Sequence, residues 1–555
     1  MHLPFLKGTG TLKAHPVVRI LLPRGVWHFL LIAIAISGIV FRFADLDREI
    51  FWHDEAYTAL RISGYTETEL IENLFINEPL DRDDLLTYQQ LTPEKTLSDT
   101  LNSLAREDAQ HPPLYYILTR WWAQLFGDSI ASLRTVSALL SLIALPAMYW
   151  LCYELFNSEF AGLIGMALIS VSPFHILYAR EAREYGLWTA TILLTSAAFL
   201  KAISRNKNIK KWVIYSITLA ASFYSFLFSA LVAIAHGSYL LAIDGFKITQ
   251  KKMSYFFASW GAVLLFIPWI VIVLNQFSKV RGTTAWTAQP MAPIGLAIAW
   301  VANSSRVFFD LNLDSDSPLI YSIPALVLAI ALIGYSLYFL IKHTQKQVWL
   351  FVILLIAIPA LTLILPDLIL GGRRSTVSRY LIPSYLGMEL AVTALLSLKL
   401  ATANSIFKQR LWQGIALTVL LAGMISGGAI VHSETWWNKK NSHNHPQAAR
   451  LINAAEHPLL MTSDFRFNRG EMLSLAHLLD RHVTIQLVLE GEVPNLGDDG
   501  VGKDRQSFSD IYLFNPSKRL REGLRDRYPD TEIEPVKPEA LRLEKLTGIG
   551  SGRSS

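Results

Sequence analysis

The sequence is poor in charge and almost without cysteine. Only 17% of its 555 residues are Asp, Glu, Lys or Arg, where a soluble domain carries about 25%. The one cysteine, Cys152, lies inside an apolar run, so an intrachain disulfide is excluded and nothing resembles a zinc or redox motif. There is no clear internal repeat, and the apolar runs carry few ionisable residues, with His236, Glu389 and Glu154 as exceptions. That argues against an inverted-repeat transporter, which pairs broken helices and places charges within its spans. The net charge is +5, but much of the Lys and Arg sits in short loops between apolar runs. This arrangement reports orientation in a membrane rather than nucleic-acid binding.

What the sequence has in excess is apolar residues, 52% of the chain. They gather into runs long enough to cross a bilayer, ending near residue 432. The first run, Val26 to Phe43, follows a basic leader (Lys7, Lys13, Arg19, Arg24). It is span length and no Ala-x-Ala site follows, so it reads as a first span rather than a cleaved signal. Further runs cover 130–156, 161–178, 186–203, 212–243, 254–275, 318–341, 348–370, 381–400 and 411–432.

Basic loops set the direction of these spans. The leader places the N-terminus in the cytoplasm, as do Lys201, Arg205, Lys207, Lys210 and Lys211 for one loop and Lys247, Lys251 and Lys252 for the next. The run 212–243 between those loops must then cross twice, turning near Phe223-Tyr224-Ser225-Phe226, with two spans of roughly 16 residues each. By the same parity the short piece Pro112 to Phe126 begins and ends outside. It reads as a helix in the outer interface, with Tyr115, Tyr116, Trp121 and Trp122 at headgroup level. The total is about eleven spans, N-terminus in and C-terminus out.

The expected architecture is an all-α polytopic membrane bundle with a large first external loop and a small C-terminal α/β soluble domain. Residues 1–25 form the cytoplasmic N-terminal segment, 26–432 the membrane domain with external loop 44–128, 433–547 the external domain, and 548–555 a disordered tail. In the C-terminal part, apolar strands at Pro458–Met461, Val483–Leu489 and Asp510–Phe514 alternate with helical stretches at Ala448–Ala455, Glu471–Leu479 and Lys518–Arg527.

Five polar clusters fall on the outer side. They are Phe51 to Tyr57, containing His53-Asp54-Glu55; Glu107 to Pro113, containing His111-Pro112-Pro113; Tyr178 to Tyr185, containing Arg180, Arg183 and Glu184; Arg281 with Trp286 and Arg306; and Arg373-Arg374 with Arg379-Tyr380. Singly, each has a plain reading: solvated loop charge, or a helix start at proline. External arginines run against the cytoplasmic bias of basic residues and call for an anion, either a lipid headgroup or a phosphate held by bidentate donors. Together, carboxylates, a histidine and arginines beside an apolar slot suit a substrate with a greasy tail, a phosphate and a polar head. Asp45-Leu46-Asp47 and Asp314-Ser315-Asp316 match the Asp-x-Asp pattern of nucleotide-sugar transferases, but both fall outside, where nucleotide sugars are absent.

The segments Trp52-His53-Asp54-Glu55-Ala56-Tyr57, His111-Pro112-Pro113-Leu114-Tyr115-Tyr116, Ala182-Arg183-Glu184-Tyr185 and Arg379-Tyr380-Leu381-Ile382-Pro383 follow a family order. Over roughly residues 26–432 the chain resembles the bacterial protein O-mannosyltransferase-like glycosyltransferases of the GT-C fold, to which the aminoarabinose transferases that modify lipid A are related. The resemblance implies a polyprenyl-phosphate sugar donor and an Asp-Glu pair in the first external loop, its Asp, here Asp54, working at the acceptor. In the aminoarabinose branch a Lys-Pro pair helps hold the donor phosphate; here His111-Pro112 occupies that place, as in the mannosyltransferase branch.

The expected reaction moves the sugar to an acceptor hydroxyl on a lipid, glycan or protein at the outer (periplasmic) face of the bacterial inner membrane, by inverting displacement. Asp54 is the expected general base. His111, Arg183, Arg373, Arg374 and Arg379 are expected at the donor phosphate. Glu55 and Glu184 orient these groups or hold a divalent cation. Tyr57, Tyr116, Arg180, Glu184, Tyr185, Tyr224 and Tyr380 are the expected lining of the substrate cavity. Two other classes fit the same residues in part: a transporter or flippase of a lipid-linked glycan, and a non-catalytic membrane scaffold.

Overall fold

Long apolar runs become helices because, within a bilayer, only a helix or closed barrel satisfies every backbone polar group internally. A computed structural model describes residues 24–204, 208–312, 319–494 and 508–547. The leader up to residue 23, Arg205, Lys207, Asp314-Ser315-Asp316 and the expected tail at 548–555 lie outside the described residues. The chain falls into two units. One comprises Met1–Leu46, Asp108–Tyr115 and Leu133–His432; the other comprises Asp47–Glu107, Tyr116–Ser132 and Ser433–Ser555.

In the first unit, helices occupy every apolar run. Among the described residues eight are long and apolar enough to cross a membrane, or nine if one bent pair counts as a span. The protein is thus a multi-pass membrane protein. The run 212–243 does divide, at Phe226, into helices Ile209–Ser225 and Ser229–Asp244. At 17 and 16 residues these are shorter than the other spans, and the first begins with Lys210 and Lys211. The count of about eleven expected from basic loops therefore exceeds what length and apolarity alone identify. The helix Leu114–Phe126 has 13 residues, about 20 Å of rise against a hydrocarbon core of about 30 Å, too short to span.

The bent pair places the loop that carries the third motif. Proline disfavours helical geometry in the residue before it, and Ser172, preceding Pro173, sits at φ −60°, ψ 118°. Helices Glu159–Val171 and Pro173–Ala179 consequently meet at 59°. The second delivers the loop Arg180–Glu184, and helix Tyr185–Ile203 leads away from it. Close packing fixes the bend's neighbours. A Cβ on Gly38 would lie 2.2 Å from the Ser170 carbonyl oxygen, and one on Gly423 would lie 2.5 Å from that of Val171. Small residues at these crossings let backbones approach closely, as membrane helix pairs require.

The second unit contains a six-stranded sheet: β1 (Pro79–Leu80), β2 (Pro458–Ser463), β3 (Thr484–Val488), β4 (Asp510–Phe514), β5 (Glu532–Pro535) and β6 (Leu543–Thr547). The order is β1-β3-β2-β4-β6-β5. β2 runs parallel to both β3 and β4, while β1, β6 and β5 join antiparallel at the two sides. Alternation puts Leu459 and Met461 of β2 on one face, packed with Leu520 and Leu524 of helix Lys518–Arg527. Strand β1 comes from the loop 44–128, expected with the membrane domain. It pairs with β3 through Pro79 opposite Gln486 and Leu80 opposite Ile485. Most of that loop clusters with the C-terminal segment through this pairing and through ion pairs such as Lys439 with Glu49.

Candidate active site

Each unit carries a polar centre. In the helical unit, the loop Arg180–Glu184 is buried throughout. His111 Nδ1 lies 2.8 Å from Glu184 Oε1. Arg183 Nη2 lies 3.5 Å from that same oxygen, 3.4 Å from His111 Nε2 and 3.4 Å from the Tyr185 hydroxyl. The Arg183 backbone is fixed too: its carbonyl accepts from Ser137 Oγ at 3.2 Å, and Ser137 is 2.7 Å from the Tyr115 hydroxyl. Burial alone would raise the Glu184 carboxyl. The Arg183 guanidinium and His111 outweigh it and hold that carboxyl down at about 2.

The segment Ser378–Leu381 meets this loop from a distant part of the chain. The Tyr178 hydroxyl is 2.9 Å from Ser378 Oγ. The Arg379 guanidinium sits 5.7 Å above the centre of the Tyr185 ring and 5.8 Å from that of Tyr380. Buried Arg183, Glu184, Tyr185 and Arg379 therefore form one cluster with the half-buried His111 and Tyr380, holding two guanidinium groups and one carboxylate.

Other arginines expected at the phosphate are engaged elsewhere. Arg374 Nη1 pairs with Asp367 at 3.0 Å and donates to the Gly371 carbonyl at 3.0 Å, while Asp367 accepts the Ser375 N–H and Oγ–H, both at 2.7 Å. Arg373 Nε donates to the Trp286 carbonyl at 3.2 Å, with its guanidinium over the Trp286 ring. These contacts brace the loop after helix Lys346–Leu370. Arg180 clamps the end of the first helix, donating to the carbonyls of Phe41, Ala44 and Asp45. Such carbonyls have no partner within their own helix. Tyr224 donates to the Leu265 carbonyl at 2.8 Å.

In the second unit, Asp54 and Glu55 occupy the first turn of helix His53–Ser63, where the helix dipole favours negative charge. The helix closes on Gly64, at φ +90°, a left-handed position that suits glycine. Asp54 is partly exposed and Glu55 fully buried. The His53 N–H donates to Ser442 Oγ at 3.1 Å. His53 Nδ1 lies 3.0 Å from Glu471 Oε1, and Glu471 Oε2 lies 2.8 Å from His445 Nε2 and accepts from Ser442 Oγ at 2.9 Å. Burial would raise Glu471, but hydrogen bonds from His445 and His53 drive its carboxyl far below the usual range. Burial would likewise lower His53; the hydrogen bond and charge of Glu471 raise it instead.

Tyr57, four residues along, donates to Glu67 at 2.8 Å, and Arg469 pairs with Glu67 at 2.7 Å. Tyr116 is fully buried. Sequence reasoning did not single out Glu471, His445 or Ser442 for this site. No local pattern marks them, because their partner lies roughly four hundred positions earlier in the chain. Among the described residues there is no group of three or more His, Cys, Asp or Glu side chains that could hold a metal ion.

Residues 110–272 match the family model described as dolichyl-phosphate-mannose-protein mannosyltransferase. No curated protein matches the chain. Among solved structures, ArnT from Cupriavidus metallidurans bound to undecaprenyl phosphate is similar at 10% identity and TM-score 0.53, over 95% of this chain and 99% of that one. The apo state of the same protein gives 11% identity and TM-score 0.51, over 94% and 98%. An oligosaccharyltransferase from Archaeoglobus fulgidus gives 13% identity and TM-score 0.48, over 82% and 64%. The GT-C fold expected from the four motifs is present, and the matched segment contains the His111 and Arg183 motifs.

Proposed function

We propose that this protein transfers a sugar from a polyprenyl-phosphate donor to an acceptor hydroxyl at the outer face of the membrane. The observation that carries the reading is the buried cluster in which Arg183 and Arg379 meet around Tyr185 beside the His111–Glu184 pair. Guanidinium groups suit a phosphate leaving group, since they stabilise charge as it develops and need no reorganisation. The fold supports a lipid-borne donor, because the ArnT structure of the same fold holds undecaprenyl phosphate.

In the proposed step the acceptor oxygen attacks the anomeric carbon. The bond from that carbon to the phosphate oxygen breaks, and the polyprenyl phosphate leaves with the bonding electrons. Asp54 takes the acceptor proton, a contribution of about 10²–10⁴ in rate. A single displacement inverts the sugar. Glu184, kept ionised, holds His111 and Arg183 in place, and Arg183 and Arg379 take up the charge on the phosphate.

The test is a purified protein given a panel of labelled polyprenyl-phosphate sugars, with products separated by thin-layer chromatography. Transfer of label from at least one donor, lost in Asp54→Asn, is the expected result. Normal donor affinity and turnover in both Arg183→Ala and Arg379→Ala would overturn the phosphate-site assignment.

A further inference from the structure

We infer that Glu471, in the C-terminal segment, is a positioning residue for Asp54: it clamps the start of the helix that carries the base. This rests on the proposed role of Asp54 as that base. Glu471 reaches the helix by two routes. Its Oε1 holds the His53 side chain directly at 3.0 Å. Its Oε2 accepts from Ser442 Oγ, which in turn accepts the His53 N–H, so the backbone next to Asp54 is held as well. His445 closes the far side at 2.8 Å and is itself anchored, its Nδ1 3.2 Å from Ser474 Oγ.

The approach is close by construction. Glu471 sits beside Gly470, where an added Cβ would fall 2.4 Å from the Tyr57 ring and 2.5 Å from that of His53. The segment before the helix is held from the same side. The Ile50 N–H donates to the Glu434 carbonyl at 2.8 Å, and Lys439 pairs with Glu49 at 3.3 Å, both fully buried. Buried ionic groups contribute little to net stability, and apolar replacements often serve as well. What such an array does supply is a single geometry. A displacement of about 1 Å at a reacting group costs on the order of a hundredfold in rate, so a device that fixes the first turn has a direct catalytic consequence.

The experiment is a double-mutant cycle in the full-length protein. Single-turnover rate and donor affinity are measured for Glu471→Gln, Asp54→Asn and the double variant. Glu471→Gln alone is expected to slow turnover about tenfold, within the coupling seen inside one hydrogen-bonded network, with donor affinity unchanged. In the Asp54→Asn background the same substitution should cost less than about twofold, because a positioning residue has nothing left to position. Equal losses in both backgrounds would show an independent, merely structural role and overturn the inference, as would a Glu471→Gln variant with normal turnover. Should Glu471→Gln fail to fold, Ser442→Ala, which removes the route from Glu471 to the His53 N–H, is read through the same cycle. Full activity in Asp54→Asn itself would instead overturn the base assignment, and this inference with it.

Discussion

Removing the Arg183 guanidinium separates a phosphate site from a structural arginine. Arg183 is 4% exposed and lies against Glu184, His111 and Tyr185 at 3.4–3.5 Å. With Arg379 across the Tyr185 ring, it is expected to bind the donor phosphate. A hydrogen bond to a charged group contributes about 1.5–3 kcal/mol, and each 1.36 kcal/mol is tenfold. Arg183→Ala should therefore weaken donor binding or turnover by about 10- to 150-fold. Arg183→Lys keeps the charge but loses the fork, and should fall between. Arg374 provides the contrast. Its guanidinium already pairs with Asp367 and caps the Gly371 carbonyl, so Arg374→Ala should lower thermal stability with less effect on donor affinity. Donor affinity by fluorescence titration and turnover by single-turnover labelling, on detergent-solubilised protein of known melting temperature, measure all three variants. A greater loss of donor affinity in Arg374→Ala than in Arg183→Ala would refute the assignment.

Asp54→Asn keeps size but cannot accept a proton at neutral pH, and should slow turnover at least about a hundredfold while donor affinity stays near normal; lost donor binding, mimicked by a chelator, would instead mark Asp54 as a metal ligand. The His53–Glu471 pair predicts a stability window. Glu471, depressed, contributes above its ordinary value near 4.3 and loses that contribution only as pH falls towards its own low value; His53, raised, contributes below about 6.5 and loses it as pH climbs through its folded value. Protection factors of helix His53–Ser63, its exchange rates taken relative to the intrinsic base-catalysed rate, should thus be highest between about pH 5 and 6.5 and fall on the alkaline side, a fall that Glu471→Gln should abolish. In a Cys152→Ser background, cysteines placed at the partly exposed positions 54 and 111 should label from outside and one at 251 from inside; labelling of position 111 from the cytoplasm alone would remove the non-spanning reading of helix Leu114–Phe126.

The helical unit was legible because spanning helices announce themselves by composition, and their ends by loops. The break of 212–243 came from charge alone, since Lys210–Lys211 and Lys251–Lys252 on the same side force an even number of crossings. The bend at Ser172-Pro173 was not anticipated, although the dipeptide encodes it. In the C-terminal segment, the buried strands β2, β3 and β4 stood out as apolar runs. The strands β5 and β6 did not, because Glu532-Ile533-Glu534-Pro535 and Leu543-Glu544-Lys545-Leu546 face water on one side and carry charge. The motif arginines illustrate the same limit. Arg183 and Arg374 look alike in sequence, yet Asp367, seven residues before Arg374, claims the latter. The His53–Glu471–His445 array was invisible because its members share no local pattern.

The edge strand β1 has a consequence for how the chain is made. Pro79 pairs with Gln486, so the ribosome completes one partner about four hundred residues before the other. At about 5–20 residues per second, that interval is on the order of tens of seconds. For most of it the helix bearing Asp54 has no Glu471 to hold it, and Glu49 has no Lys439. A chain cut short after the last apolar run and before Lys439 would still thread its helices into the membrane, yet leave these charged residues without their counterparts. Synthesis through Glu471 is thus a checkpoint on the first loop, and nonsense changes ahead of it should leave the helix bearing Asp54 unclamped even where every membrane helix is made.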